Sequence, residues 1–166
     1  LAMVDKFIDY QFIIAAAPSQ SLDFYQSIIS KKNINNTVKI IQNQTYDVLN
    51  IAEAALVTSG TATLETALFE VPQVVCYKGS SMSYYIAKQL VKIKYISLVN
   101  LIVDKPLVTE LIQNEFTVNR LEKELVQILD NKKRKEILTE YKLLKEKLGG
   151  EGASDRVAAF ILEDNI

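Results

Sequence analysis

The sequence predicts an α/β fold: a Rossmann-like parallel sheet with helices on both faces, followed by a helical C-terminal extension. Three observations carry that expectation. Short apolar runs rich in β-branched residues alternate with helix-like runs over the first hundred residues. Beyond Asn100 the spacing changes to a helical repeat. The composition, 49% hydrophobic and 23% charged, is that of a soluble globular domain with enough apolar residues for one core.

In chain order, Leu1-Ala2-Met3-Val4-Asp5 enters a helix-like pattern without an initiator Met, which suggests a first element cut from something longer. Strand-like runs follow at Gln11 to Ala17, Thr37 to Gln42, Ala54 to Thr58 and Gln73 to Tyr77. Helix-like runs connect them at Asp23 to Ile29, Tyr46 to Ala52 and Ala62 to Phe69, with another at Met82 to Ile93, where Met82, Ile86, Leu90 and Ile93 share one face. Such alternation favours βαβ units and a parallel sheet covered on both sides. In the tail, Val118, Leu121, Leu125 and Ile128 form one stripe, Ile137, Tyr141, Leu144 and Leu148 a second, and Val157 with Ile161 begins a third. Gly149-Gly150 reads as a helix stop and turn. The expected organisation is a Rossmann-like unit over residues 1–116, N-terminally truncated, and a helical extension of the same domain over 117–166.

Composition removes several function classes. With 19 basic and 20 acidic side chains the formal charge is −1, so no global field draws the protein to nucleic acid, and an anion must be caught locally. The chain has no histidine, which excludes Ser-His-Asp and Cys-His triads and leaves carboxylates as protein metal ligands. The single Cys76, between Val75 and Tyr77, reads as a buried strand residue in a reducing compartment. No apolar run approaches the ~20 residues that span a bilayer, and Leu1 to Asp5 lacks the marks of a signal peptide.

Chemistry concentrates in Ala54 to Glu65, read as a buried strand, a small-residue turn and a helix start. Gly60 lets the backbone turn sharply and a ligand approach closely. Ser59, Thr61 and the first helical N–H groups place donors at the positive end of a helix dipole, a geometry suited to a pyrophosphate. Glu65, about one turn into the helix, is placed to accept from ribose hydroxyls. An ordinary capped helix after a strand has the same residue pattern.

Leu56 to Glu65 followed by Val71 to Lys78 resembles the C-terminal domain of lipid-A-disaccharide synthases, as does Lys94 to Ile102. Glu110-Leu111-Ile112-Gln113 is similar to that family's ELLQ segment, and Leu148-Gly149-Gly150-Glu151-Gly152-Ala153-Ser154 to its GGxGAS turn. The similarity runs in order from about Gln11 to Phe160. It implies a glycosyltransferase of two Rossmann-like domains, whose C-terminal half binds the UDP part of UDP-2,3-diacylglucosamine. The acceptor is then 2,3-diacylglucosamine 1-phosphate, the product a β-1′,6-linked disaccharide, and no cofactor or metal is implied. Carried onto this chain, Ser59, Gly60 and Thr61 hold phosphate, Glu65 the ribose, and Ile41 and Gln42 the uracil through backbone groups; Asn100 falls on the sugar or phosphate side of the cleft. The general base is expected in an N-terminal half that this sequence does not include, together with the family's opening strand and its glycine- and arginine-containing loop, so turnover by these residues alone is not expected. Where many members carry tyrosine-arginine, this chain has Tyr77-Lys78, which reduces a bidentate contact to a point charge.

Rival readings are another UDP-N-acetylglucosamine-using glycosyltransferase or epimerase of this architecture, and a non-catalytic α/β interaction module. The resemblance also implies a cytoplasmic enzyme with peripheral contact at the inner membrane. The C-terminal stripes allow a homodimer. Tyr84 and Tyr85 fit an acyl-chain groove or simple packing, and Lys88, Lys92, Lys94 and the Lys132-Lys133-Arg134-Lys135 run fit an anionic surface or a solvated helix face.

Overall fold

The computed structural model describes residues 1–32, 34, 37–79, 94–149 and 152–163. Its elements confirm an α/β fold with parallel strands: β1 (Phe12–Ala16), α1 (Leu22–Ser30), β2 (Val38–Gln42), α2 (Thr45–Ile51), β3 (Ala55–Thr58), α3 (Thr61–Leu68) and β4 (Gln73–Tyr77). Then come α4 (Leu98–Val103), β5 (Thr109–Ile112), a 3-10 turn (Gln113–Glu115), α5 (Val118–Leu129), α6 (Asn131–Lys147) and α7 (Ala153–Glu163).

The strands form two sheets among the described residues. β1 pairs with β2, from Phe12 opposite Val38 to Ala16 opposite Gln42. The second sheet has the order β3-β4-β5, with Thr58 opposite Cys76 and Tyr77 opposite Ile112. β4 is central, and its adjacent Val74 and Val75 are both fully buried. Successive strand residues face opposite sides, so both faces of this sheet are covered.

β3 departs from the expected buried strand. Only Val57 is buried, and Leu56 remains 42% exposed, because β3 is paired on one side alone. A second finding is β5, in a stretch of the 1–116 unit to which the sequence assigned no strand: four residues are too few to show a period-two pattern, and a glutamate occupies its second position. Residues 1–10 also form turns rather than a helix, yet they are well anchored. Met3 enters the core of the larger sheet and Val4 that of the smaller one. The expected helix from Met82 to Ile93 lies outside the described residues, as do Tyr84, Tyr85, Lys88, Lys92, Gly150 and Glu151.

Local chemistry sets the helix starts. Ser21, Ser97 and Thr117 accept with their hydroxyls from the third residue onward, and Asp130 accepts from the amides of Lys132 and Lys133. Asp130 thereby starts α6 directly beneath the basic run, where Lys133 pairs with Glu136 at 3.3 Å and Arg134 bonds the main-chain carbonyl of Glu53. Lys94 pairs with Asp104 at 2.8 Å on an exposed surface.

Two of the three tail stripes are spent within the chain apart from their end residues, Val118 and Leu148, which stay exposed. Leu121, Leu125 and Ile128 of α5 and Ile137, Tyr141 and Leu144 of α6 join Val74, Val75 and Leu111 in one core. Burial of each contributes about 1.5–3 kcal/mol. Within this core the Gln73 amide nitrogen donates to the carbonyl of Thr63 at 2.8 Å and to the Tyr141 hydroxyl at 3.3 Å, tying β4 to α3 and α6, while its side-chain oxygen is buried without a partner among the described residues. Burial holds the Tyr141 hydroxyl well above its ordinary pKa. The third stripe behaves differently. Val157 and Ile161 of α7 are each 59% exposed, and Phe160 beside them is 71% exposed.

Candidate functional site

The C-terminal ends of β3, β4 and β5 share one edge of the larger sheet, and ligands of open α/β sheets bind at that edge. Just past the end of β3, Ser59 is half-buried and Gly60 exposed. Gly60 adopts φ 152° and ψ −166°, a conformation open essentially to glycine alone, and it turns the chain sharply from strand into α3. No side chain caps α3. The Thr63 hydroxyl instead bonds backward to the carbonyl of Gly60 at 2.8 Å. Thr61 is exposed at the first helical position, so the start of α3 faces outward with its positive dipole end unneutralised.

Glu65 lies one turn into α3 and is half-buried. Among the described residues its carboxylate has no hydrogen-bonding or ionic partner. Ser59 is different, because its hydroxyl donates to the carbonyl of Ile96 at 2.7 Å. Its proton is committed to the fold.

Asn100 is brought close to this region but turned inward. It is 1% exposed on α4, where its amide donates to the carbonyl of Val108 and to Glu110, each at 2.9 Å, and its oxygen accepts from the Val108 N–H at 2.9 Å. All of its side-chain groups thus serve the α4–β5 connection. Ile41 and Gln42 lie, half-buried, at the C-terminal end of β2 in the smaller sheet. Lys78 is exposed just after β4. A cavity of about 500 Å³ between α1 and β2, lined by Leu22, Gln26, Ile29, Ser30, Val38 and Ile40, contains none of these residues.

Sequence reasoning passed over the residue that organises this edge. One carboxylate oxygen of Glu110 accepts from the Ser97 N–H (3.0 Å), the Ser97 hydroxyl (2.7 Å) and Asn100, while the other accepts from the Ile96 N–H at 2.9 Å. The segment that receives the Ser59 hydroxyl is therefore itself held by Glu110. The signal was present as the first residue of Glu110-Leu111-Ile112-Gln113, but no spacing rule links it to a turn more than forty residues earlier. Cys76, half-buried on β4 beside this edge, has its thiol pushed up to about 11 by burial and is a poor nucleophile at neutral pH. Among the described residues no group of three or more Asp, Glu or Cys is placed to hold a metal ion, and no helix is long and apolar enough to cross a membrane.

Comparison with known proteins gives this edge a context. The family model described as lipid-A-disaccharide synthetase matches residues 2–162. The lipid-A-disaccharide synthase of Geobacter sulfurreducens is 34% identical over 96% of this chain and 41% of its own length. That of Syntrophus aciditrophicus is 37% identical over 96% of this chain and 42% of its length, and that of Coxiella burnetii strain CbuG_Q212 is 35% identical over 91% and 39%. This chain thus spans about two-fifths of the relatives it matches. With a match over nearly its whole length, the chain belongs to the lipid-A-disaccharide synthetase family.

Proposed function

We propose that this chain is the UDP-binding half of a glycosyltransferase that moves 2,3-diacylglucosamine from UDP to 2,3-diacylglucosamine 1-phosphate. The observation that carries the reading is the start of α3. An uncapped helix N-terminus behind Gly60 stands one turn from a carboxylate, Glu65, that no described residue engages. Backbone N–H groups of Ser59 to Ala62 hold the diphosphate and Glu65 accepts from the ribose hydroxyls. Ile41 and Gln42 meet the uracil through backbone groups. Asn100, whose side chain is fully engaged, acts by fixing α4 beside the site rather than by touching ligand.

In the reaction, the acceptor's 6-hydroxyl oxygen attacks the anomeric carbon as the bond from that carbon to the diphosphate oxygen breaks. The bond's electron pair leaves with UDP, and inversion gives the β-1′,6 linkage. Donors preorganised at the α3 N-terminus stabilise the charge developing on the leaving diphosphate. The hydroxyl proton passes to a general base in the N-terminal half of the longer relatives. The reading employs no metal or cofactor.

The exposed face of α7 bears on the partners. With the α5 and α6 stripes largely buried, Val157, Phe160 and Ile161, which share one face of α7, are the surface through which we propose a homodimer forms, and acylated substrates would bring a cytoplasmic enzyme to the inner membrane face.

Calorimetric titration with UDP and UMP tests the nucleotide site. UDP binds more tightly than UMP because the turn after β3 meets the second phosphate. A dissociation constant of about 0.1–1 mM is expected for a site completed by further chain. Equal affinities, or no heat with either ligand, would refute the assignment.

A further inference from the structure

Gln113 combines a left-handed backbone with a buried side-chain donor that lacks a partner among the described residues. It follows the last residue of β5, at the same sheet edge as the turn after β3, and its φ of 51° lies in the left-handed region that non-glycine residues rarely occupy. Its side-chain oxygen accepts from the Gly79 N–H at 3.3 Å, just past the end of β4. That bond fixes which end of the carboxamide faces Gly79. The other end, Nε2, is buried and has no hydrogen-bond partner among the described residues. Buried amide donors in folded proteins are nearly always satisfied, and strained backbone together with an unmatched donor is the pattern of a group held ready for something else.

We propose that Gln113 is a ligand-binding residue whose carboxamide N–H donates to an oxygen of the sugar attached to the diphosphate. The proposal deepens the nucleotide reading and rests on it. Position supplies the argument for sugar rather than phosphate or base. β4 separates β3 from β5, so Gln113 stands two strands, roughly 10 Å, along the edge from the phosphate turn. On the nucleotide reading the uracil contacts lie on β2, in the other sheet, which leaves the β5 side of the turn to the group beyond the second phosphate. A donor suits it, because sugar hydroxyls and acyl carbonyls both accept hydrogen bonds.

Two variants separate the donor from the fold. Gln113→Glu keeps an oxygen for the Gly79 N–H and deletes the donor; Gln113→Met deletes both. Titrated with UDP and with UDP-N-acetylglucosamine, the unsubstituted chain binds both, and each variant loses about tenfold in affinity for the nucleotide sugar while its affinity for UDP changes less than twofold. A readout without substitution is the side-chain amide resonance of Gln113 in labelled protein, which shifts on adding UDP-N-acetylglucosamine and not on adding UDP. Equal losses for the two ligands, unchanged nucleotide-sugar affinity, or a resonance that moves identically with both would overturn the assignment while leaving the UDP site standing. Failure of the unsubstituted chain to bind UDP would instead remove the nucleotide reading, and this one with it.

Discussion

The Ser59 hydroxyl donates to the Ile96 carbonyl across 2.7 Å, joining the turn after β3 to the segment that opens α4. A hydroxyl committed in this way cannot also give its proton to a phosphate. Ser59→Ala is therefore expected to act first through the fold. It removes a donor from a partly buried carbonyl, costing about 0.5–1.5 kcal/mol, and lowers UDP affinity only as far as the turn loosens. Chemical denaturation and UDP titration of the same variant check this; a large affinity loss without a stability loss would mean the hydroxyl reaches the ligand.

Glu65 gives the opposite ranking. Its carboxylate has no described partner to lose, so Glu65→Gln should shift stability by no more than the helix-dipole contribution of about 0.3–1 kcal/mol. Loss of charge-assisted bonds to ribose should weaken UDP binding by about 1.5–3 kcal/mol, roughly 10- to 150-fold. A lower melting temperature with unchanged UDP affinity would take Glu65 out of the site.

Glu110 is expected to be the most costly of these positions for the fold. Glu110→Ala strips one acceptor from Ile96, Ser97 and Asn100 together, and each part-buried donor left unmatched costs about 1–3 kcal/mol unless water replaces the carboxylate. A net destabilisation of at least about 2 kcal/mol by urea denaturation is the expected result. Because this segment anchors Ser59, UDP affinity should fall in the same variant even though Glu110 itself touches no ligand.

The buried thiol of Cys76 predicts a dependence on alkaline pH. Its value of about 11 lies above the usual 9.0, so the folded chain keeps the proton to higher pH than the unfolded chain. The corresponding stability is fully present below about pH 9 and is lost as pH rises through 11. Denaturant midpoints measured from pH 8 to 11 should fall more steeply for the unsubstituted chain than for Cys76→Ala. Alkylation of the native protein at pH 8 should be slow and become fast on unfolding.

The sequence by itself determined those parts of this protein whose pattern is local. Alternation of β-branched runs with helical runs specified four parallel strands, three of their connecting helices and the two packed tail helices, because side-chain period reports which face is buried. The Ser59-Gly60-Thr61 turn was legible for a similar reason, since only glycine accepts the backbone found at Gly60. Tertiary structure decided what local pattern does not encode. It placed β3 at the border of a three-stranded sheet and left Leu56 exposed, although its apolar run reads like that of a buried strand. It recruited Thr109 to Ile112 as β5, whose four residues gain strand character from pairing with β4 rather than from propensity. It also turned Asn100 inward onto Glu110 and Val108, and left the Gln113 donor unmatched beside Gly79. Hydrogen bonds between residues tens of positions apart depend on where the sheet edge brings them, and no periodicity records that.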